Sequence, residues 1–205
     1  MKRALKWLGY VVGLLVLFVI IGVGTVYAIT SSRMNKTYPT EVQSVAIPSD
    51  PVAVAKGKHL VEAVGKCTDC HGANLSGTRM FDAAVFMKLT APNLTSGKGG
   101  IPNYTDADWV RAIRHGLNRA GKPLIFMPSQ EFTAFSDSDL GAIIAYLKTV
   151  PPADTEVEPA RAPGPVARAI YLLANYPLIP VEQIDSNASR AEITPAVNIE
   201  YGQYL

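Results

Sequence analysis

The sequence predicts an all-α domain held behind an N-terminal transmembrane helix. Three observations carry that expectation. An uncharged, mostly apolar run extends from Trp7 to Ser32. Three later segments with apolar faces each open on a helix-capping signal, at Asp50-Pro51, at Thr105 to Asp108 and at Ser136 to Asp139. The 16 glycines and 15 prolines among 205 residues punctuate the rest into loops, so the helices are expected to be short and the loops long. The net charge is only +2 and no long basic run occurs, which gives no ground for nucleic-acid binding.

The first element is the apolar run. Lys2, Arg3 and Lys6 precede it, and Leu14 to Ile21 is its densest part. A bilayer core needs roughly 20 apolar residues in a helix, which this run supplies. Trp7, Tyr10 and Tyr27 lie near its ends, where amphipathic rings settle. The leading cations favour an N-terminus left in the cytoplasm, although Arg33 and Lys36 weaken the bias. Val26-Tyr27-Ala28 resembles a signal-peptide cleavage site, but the run exceeds the roughly 7–15 residues of a signal h-region. An uncleaved anchor over residues 1–32 is the favoured reading. Either reading delivers the remainder to the outer face of the membrane.

Residues 33–50 read as a polar tether. A helix then starts with Asp50 as N-cap and Pro51 at its first position, buries Val54, Leu60, Val61 and Val64, and stops at Gly65. The run Cys67-Thr68-Asp69-Cys70-His71 follows, and a loop lasts to about residue 104, with a short helix or turn between Phe81 and Leu89. Thr105 to Asp108 opens the next helix, whose apolar positions are Trp109, Val110, Ile113 and Leu117. After a loop holding Pro123 and Pro128, the last core helix starts at Ser136 and buries Leu140, Ile143, Ile144 and Leu147, ending at Val150-Pro151-Pro152. Residues 153–196 form a Pro/Ala-rich linker. Its apolar part, Val166 to Ile179, is too short and proline-flanked to span a bilayer and reads as a packing helix.

Cys67 and Cys70 are the only cysteines, and C-x-x-C-H is the attachment pattern for c-type haem. Each thiol adds across one haem vinyl group, and the adjacent His71 can give the iron its proximal nitrogen. A disulfide across two intervening residues would close a small, strained loop. Zinc needs two further ligands, and His59 and His115 lack finger spacing. A thioredoxin-like pair needs a βαβ setting, which is missing. One covalently attached haem c is the expected cofactor.

The second axial position has four candidates after the motif: Met80, Met87, His115 and Met127. Met80 lies too near His71 to reach the other haem face, whereas Met87 remains possible. Met127 is preferred: it falls in a loop between two helices, Pro128 stiffens that loop, and Phe126 and Phe132 can shield the iron. His115 reads instead as a helix C-terminal residue, where positive charge is favoured, and His59 as a surface residue. The metal ligands are thus expected to be His71 and Met127.

From about Val52 to Pro152 the chain resembles the class I cytochrome c family. The resemblance rests on Gly57, the run from Cys67 to His71, Pro92-Asn93-Leu94, Met127-Pro128 and Ser136 to Leu147. It implies a class I cytochrome c-like fold over residues 51–152, with Gly57 meeting Tyr146 where first and last helices cross. It also implies that the Pro92 carbonyl bonds the ring of the proximal histidine, a contact that tunes the ligand. A narrower similarity is to the membrane-bound multihaem cytochrome subunits of periplasmic dehydrogenases. In keeping with it, the last residues echo Ala55 to Leu60, which suggests that a second cytochrome domain starts at 197–205.

These readings converge on an electron carrier anchored in the bacterial cytoplasmic membrane, with its haem on the periplasmic side and no catalytic residues of its own. A dehydrogenase or quinol-oxidising complex would be the donor, and an oxidase or soluble cytochrome the acceptor. Lys88, Lys98, Arg111, Arg114, Arg119 and Lys122 are candidates for a basic docking ring. A peroxidase-like haem enzyme and a haem-based gas sensor are the alternative classes. A domain of about 100 residues buries little apolar surface for its size, so haem should complete its core. The Cys67→Ala/Cys70→Ala variant is therefore expected to be molten or unfolded by circular dichroism; a natively folded, haem-free variant would contradict this.

Overall fold

A computed structural model describes residues 2–83, 85–160, 162–185 and 190–205. Helix α1 spans Lys2–Asn35 and is exposed along nearly its whole length until Thr30. Among the described residues it is the one helix long and apolar enough to cross a membrane, and it is a candidate anchor. It runs three residues beyond the expected boundary at 32.

Helix α2, Pro51–His59, begins as its residues dictate. The Asp50 side chain accepts a hydrogen bond from the Ala53 amide at 2.9 Å, and Pro51, without an N–H to satisfy, occupies the first turn. One π-helical turn, Leu60–Val64, continues it to Gly65. Helix α3, Cys67–His71, follows at once, entered through Lys66 in the left-handed region (φ 48°). Helix α4, Asp106–His115, carries a complete capping box: Thr105 Oγ1 accepts from the Asp108 amide, and Asp108 Oδ2 accepts from the Thr105 amide at 3.0 Å. Short α5, Ser129–Phe132, and α6, Asp137–Thr149, complete the domain, with Ser136 Oγ capping α6.

Helices α2 and α6 cross at the centre. Leu60, Val61, Trp109, Val110, Phe132, Leu140 and Ile144 meet there in one buried cluster. The crossing is so close that a Cβ on Gly57 would lie 1.9 Å from the Ala142 carbonyl oxygen. The partner of Gly57 is therefore the α6 backbone at Ala142. Tyr146, expected at this contact, lies one turn on and donates its hydroxyl to Glu62 at 3.1 Å.

The all-α expectation needs correction. Where a helix or turn was expected between Phe81 and Leu89, the chain forms an antiparallel hairpin, β1 Thr78–Ala83 and β2 Met87–Ala91, with a bulge between Arg79 and Phe81. Met87, Leu89 and Ala91 are buried and β1 is mostly exposed. The domain is thus mostly helical with one hairpin. The hairpin packs on a second cluster with Ala167, Tyr171, Leu178 and Ile179, which brings in helix α7, Pro165–Leu173. The packing helix expected after Val166 exists, but it stops at Leu173.

Two segments expected to be loose are packed. Residues 36–50 lie across the core through Val42, Val45 and Ile47, and a Cβ on Gly141 would meet the Ala46 carbonyl at 2.2 Å. Residues 153–156 lie on the 93–99 loop: Ala153 N donates to Thr95 Oγ1 at 3.0 Å, and Lys98 N to Asp154 at 2.8 Å. A short 3₁₀ turn, Pro180–Gln183, follows α7. Helix α8, Ile199–Tyr204, returns to the start of α6, where the Tyr204 hydroxyl accepts from the Ser136 amide at 2.9 Å and donates to Asp139.

The α2–α6 crossing yields a direct expectation. Gly57→Ala must push two helix backbones apart, since the clash is with main chain, and should cost about 3 kcal/mol. Urea denaturation of the haem-loaded protein measures it; a change within error of zero would mean the helices do not approach this closely.

Candidate haem site

The site is assembled by α3, the hairpin and the loop before α5. Cys67 and Cys70 are free thiols one helical turn apart, so their side chains share a face. Burial pushes the Cys67 thiol up to about 11 and raises that of Cys70 as well. Both therefore stay protonated at neutral pH, unlike the low-pKa thiolates of redox pairs. Among the described residues no group of three or more His, Cys, Asp or Glu side chains could hold a metal ion, which leaves zinc without a ligand set.

His71 ends α3, and its Nδ1 lies 2.8 Å from the Pro92 carbonyl oxygen. A carbonyl only accepts, so Nδ1 carries the proton and Nε2 keeps its lone pair. Burial lowers the imidazole pKa, opposed by the Pro92 hydrogen bond. The ring is thus neutral and oriented, as an iron ligand must be. The hairpin makes this contact possible. β2 ends at Ala91, paired with Thr78, and Pro92 follows directly. Gly77 N donates to the His71 carbonyl and Leu94 N to the Leu75 carbonyl, at 2.8 and 2.9 Å. At Gly77 (φ 91°) a Cβ would sit 2.8 Å from the Asn93 amide, so only glycine permits this approach. Buried Asn93 locks the loop, donating to the Ala153 carbonyl at 2.8 Å and accepting from the Thr95 amide at 2.8 Å. The sequence pattern drew notice to Asn93 but not to its role or to that of Gly77; the φ-permissive residue beside the motif was the available signal.

Met127 packs against the same cluster as Cys67, Leu94 and Tyr104. Gly65 lies between Cys67 and Phe132, a Cβ there being 3.6 Å from each. The described residues therefore combine two unpaired thiols and an oriented imidazole on one short helix, with Cys67 and the Met127 thioether packed on the same apolar core, a set that fits a covalently held haem. The other candidates lie elsewhere. Met87 and Met80 belong to the second cluster, and His59 is exposed. Phe132 stays with the Cys67 side, but Phe126 does not: its ring packs edge-on to Phe81, 5.7 Å between centroids. Phe126 has φ 71°, and its amide donates to the Leu178 carbonyl at 3.0 Å, pinning the Met127 loop to the second cluster.

The basic ring is not formed as expected. Arg114 is 1% exposed and bonds Asp137 and the Phe135 carbonyl. Lys88 is 7% exposed and pairs with Glu158. Arg111 and Arg119 both bond Asp108, whose carboxyl burial would raise but whose hydrogen bonds from Thr105 and Arg119 hold low. His115 sits in the last turn of α4, but not as a cation: burial pushes its imidazole down to about 4, and Arg190, Arg114 and Arg111 act in the same direction.

Residues 52–147 match the family model described as cytochrome c oxidase, cbb3-type, subunit III. Fold, site and match together make this stretch a c-type cytochrome domain, of a class that holds haem c covalently. Over 143 residues the chain is 31% identical to the fructose dehydrogenase cytochrome subunit of Gluconobacter japonicus, covering 66% of this chain and 27% of that protein. It is 32% identical over 100 residues to the gluconate 2-dehydrogenase cytochrome c subunit of Pantoea cypripedii, covering 45% and 22%. A third similarity, 33% over 103 residues, is to a nicotinate dehydrogenase subunit of Pseudomonas putida, covering 47% and 8%. The chain spans about a quarter or less of the length of these relatives.

The neutral His115 gives a pH dependence. Its folded pKa lies below the unfolded value near 6.5, so the unfolded chain binds more protons between about pH 4 and 6.5. Stability should fall as pH drops through that window, by about 1–2 kcal/mol once partial exposure is discounted. Urea melts at stepped pH test this, and His115→Gln should flatten the slope.

Proposed function

We propose that this chain is an electron carrier anchored in the bacterial cytoplasmic membrane by α1, with residues 51–152 holding one haem c on the periplasmic side. Cys67 and Cys70 would hold the haem through thioethers, and His71 and Met127 would be its iron ligands. When bound, the haem supplies a one-electron ferrous/ferric couple, and His/Met ligation raises its potential. The observation that carries the reading is the His71–Pro92 hydrogen bond, which fixes the proton on Nδ1 and aims the ring with Nε2 left unbonded to it. Met127 is supported by its place in the cluster that contains Cys67.

The chain's own residues do the rest. Asn93 and Gly77 hold the Pro92 carbonyl against His71, so the imidazole keeps one orientation. Phe132 and the buried core keep water from the Cys67 side. The relatives' names point to a sugar- or hydroxyacid-type dehydrogenase as donor, with an oxidase or soluble cytochrome as acceptor. Tethering both partners to one membrane raises their effective concentration.

Redox titration of the haem-loaded protein in membranes, followed by absorption, is the decisive measurement. A single low-spin centre is expected, with the weak long-wavelength band of a sulfur–iron bond in the oxidised state. Met127→Ala should abolish that band, lower the potential and open the site to carbon monoxide. A high-spin wild type that turns over peroxide, or binds carbon monoxide tightly, would favour the enzyme or sensor reading instead.

A further inference from the structure

Among the described residues, one face of α7 is left exposed. Val166, Ile170 and Leu173 stand four and three residues apart, which places them in a single stripe along the helix, and they are 44%, 38% and 85% exposed. The opposite face, Ala167, Arg168 and Tyr171, is buried. The stripe continues onto the hairpin, where the Val85 carbonyl accepts from the Val166 amide at 3.1 Å and Val85 and Phe81 are themselves exposed. Rings carry it further, from Phe81 to Phe126 and from Phe126 to Tyr176, the last pair 6.2 Å between centroids. A contiguous apolar surface of this kind marks an interaction site.

Its position on α1 says what covers it. From Trp7 to Tyr27 the helix rises about 30 Å, the thickness of a bilayer core. Tyr27 therefore stands at the outer boundary of the hydrocarbon. The Arg168 guanidinium lies over the Tyr27 ring at 4.4 Å and donates to Thr30 and to Ser31 Oγ, the latter at 2.9 Å. Arg33 donates to the Tyr171 hydroxyl at 3.2 Å. These contacts hold α7 beside the last turns of the anchor, level with the lipid headgroups.

We propose that α7 is an interfacial helix: its Val166–Ile170–Leu173 stripe, with the Val85 tip of the hairpin, lies on the outer leaflet of the bilayer. Such helices bury their apolar face about 5–10 Å into the headgroup–acyl boundary. The haem domain then has two attachments to the membrane, α1 and α7, and cannot swing freely about the end of α1. The second attachment also orients the Met127 loop, because the Phe126 amide donates to the Leu178 carbonyl, five residues beyond the end of α7.

This inference rests on the anchor reading, and its test separates the two. In the haem-loaded protein Cys67 and Cys70 are consumed, so one introduced cysteine takes a spin label alone. Labels at Ile170→Cys, at Leu15→Cys within α1 and at exposed Lys98→Cys are compared in proteoliposomes for collision with oxygen and with a water-soluble nickel chelate. Ile170 should resemble Leu15, with nickel collisions several-fold below those at Lys98 and oxygen collisions high. Nickel collisions at Ile170 equal to those at Lys98, with Leu15 protected, would overturn the interfacial helix and leave the anchor standing. Low collision with both reagents would mean that protein, a second copy or a partner, covers the stripe, and would also overturn it. Nickel access at Leu15 would remove the anchor and this inference together.

Discussion

The hydrogen bond between His71 Nδ1 and the Pro92 carbonyl is the contact on which the site depends. It decides the tautomer, aims the ring and leaves the other nitrogen free. Its two partners stand 21 residues apart in sequence. The hairpin, the glycine at 77 and the buried Asn93 together bring one carbonyl to that ring. Proline suits the position because it ends the β2 ladder without leaving an unpaired amide.

A second constraint works from the membrane side. Arg168 and Tyr171 on α7 bind the end of α1, and the segment after α7 binds the Met127 loop through Leu178 and Phe126. One small cluster thus joins the candidate anchor to the loop that carries the candidate distal ligand. The segment between α6 and α7 behaves likewise. Residues 153–156 act as a clamp on the 93–99 loop, and not as a spacer, because Gly97 lets the Ala153 backbone approach to within contact of its own chain.

Much of the fold was legible because its signals are local. The caps at Asp50, Thr105 and Ser136 are observed where the residue types demanded them, since each needs only a side-chain oxygen and an amide three residues away. The hairpin was illegible for the opposite reason. Met87 to Ala91 does alternate apolar and polar residues, but over only five positions, β1 does not alternate strictly, and pairing of Thr78 with Ala91 is a long-range choice. The basic ring failed because charge in a sequence does not report burial: Arg114 and Lys88 are interior. His115 does end α4 as expected, but burial and three arginines outweigh the preference for a cation there.

The chain order alone determined the local features: two thiols and an imidazole within five residues, an apolar run of bilayer length, and three capped helices. Those depend on neighbours in sequence. Tertiary structure decided which methionine shares the core with Cys67, which carbonyl meets His71 and which face of α7 is left bare. These are contacts between residues tens of positions apart, and only packing, which trades one burial against another, selects among them.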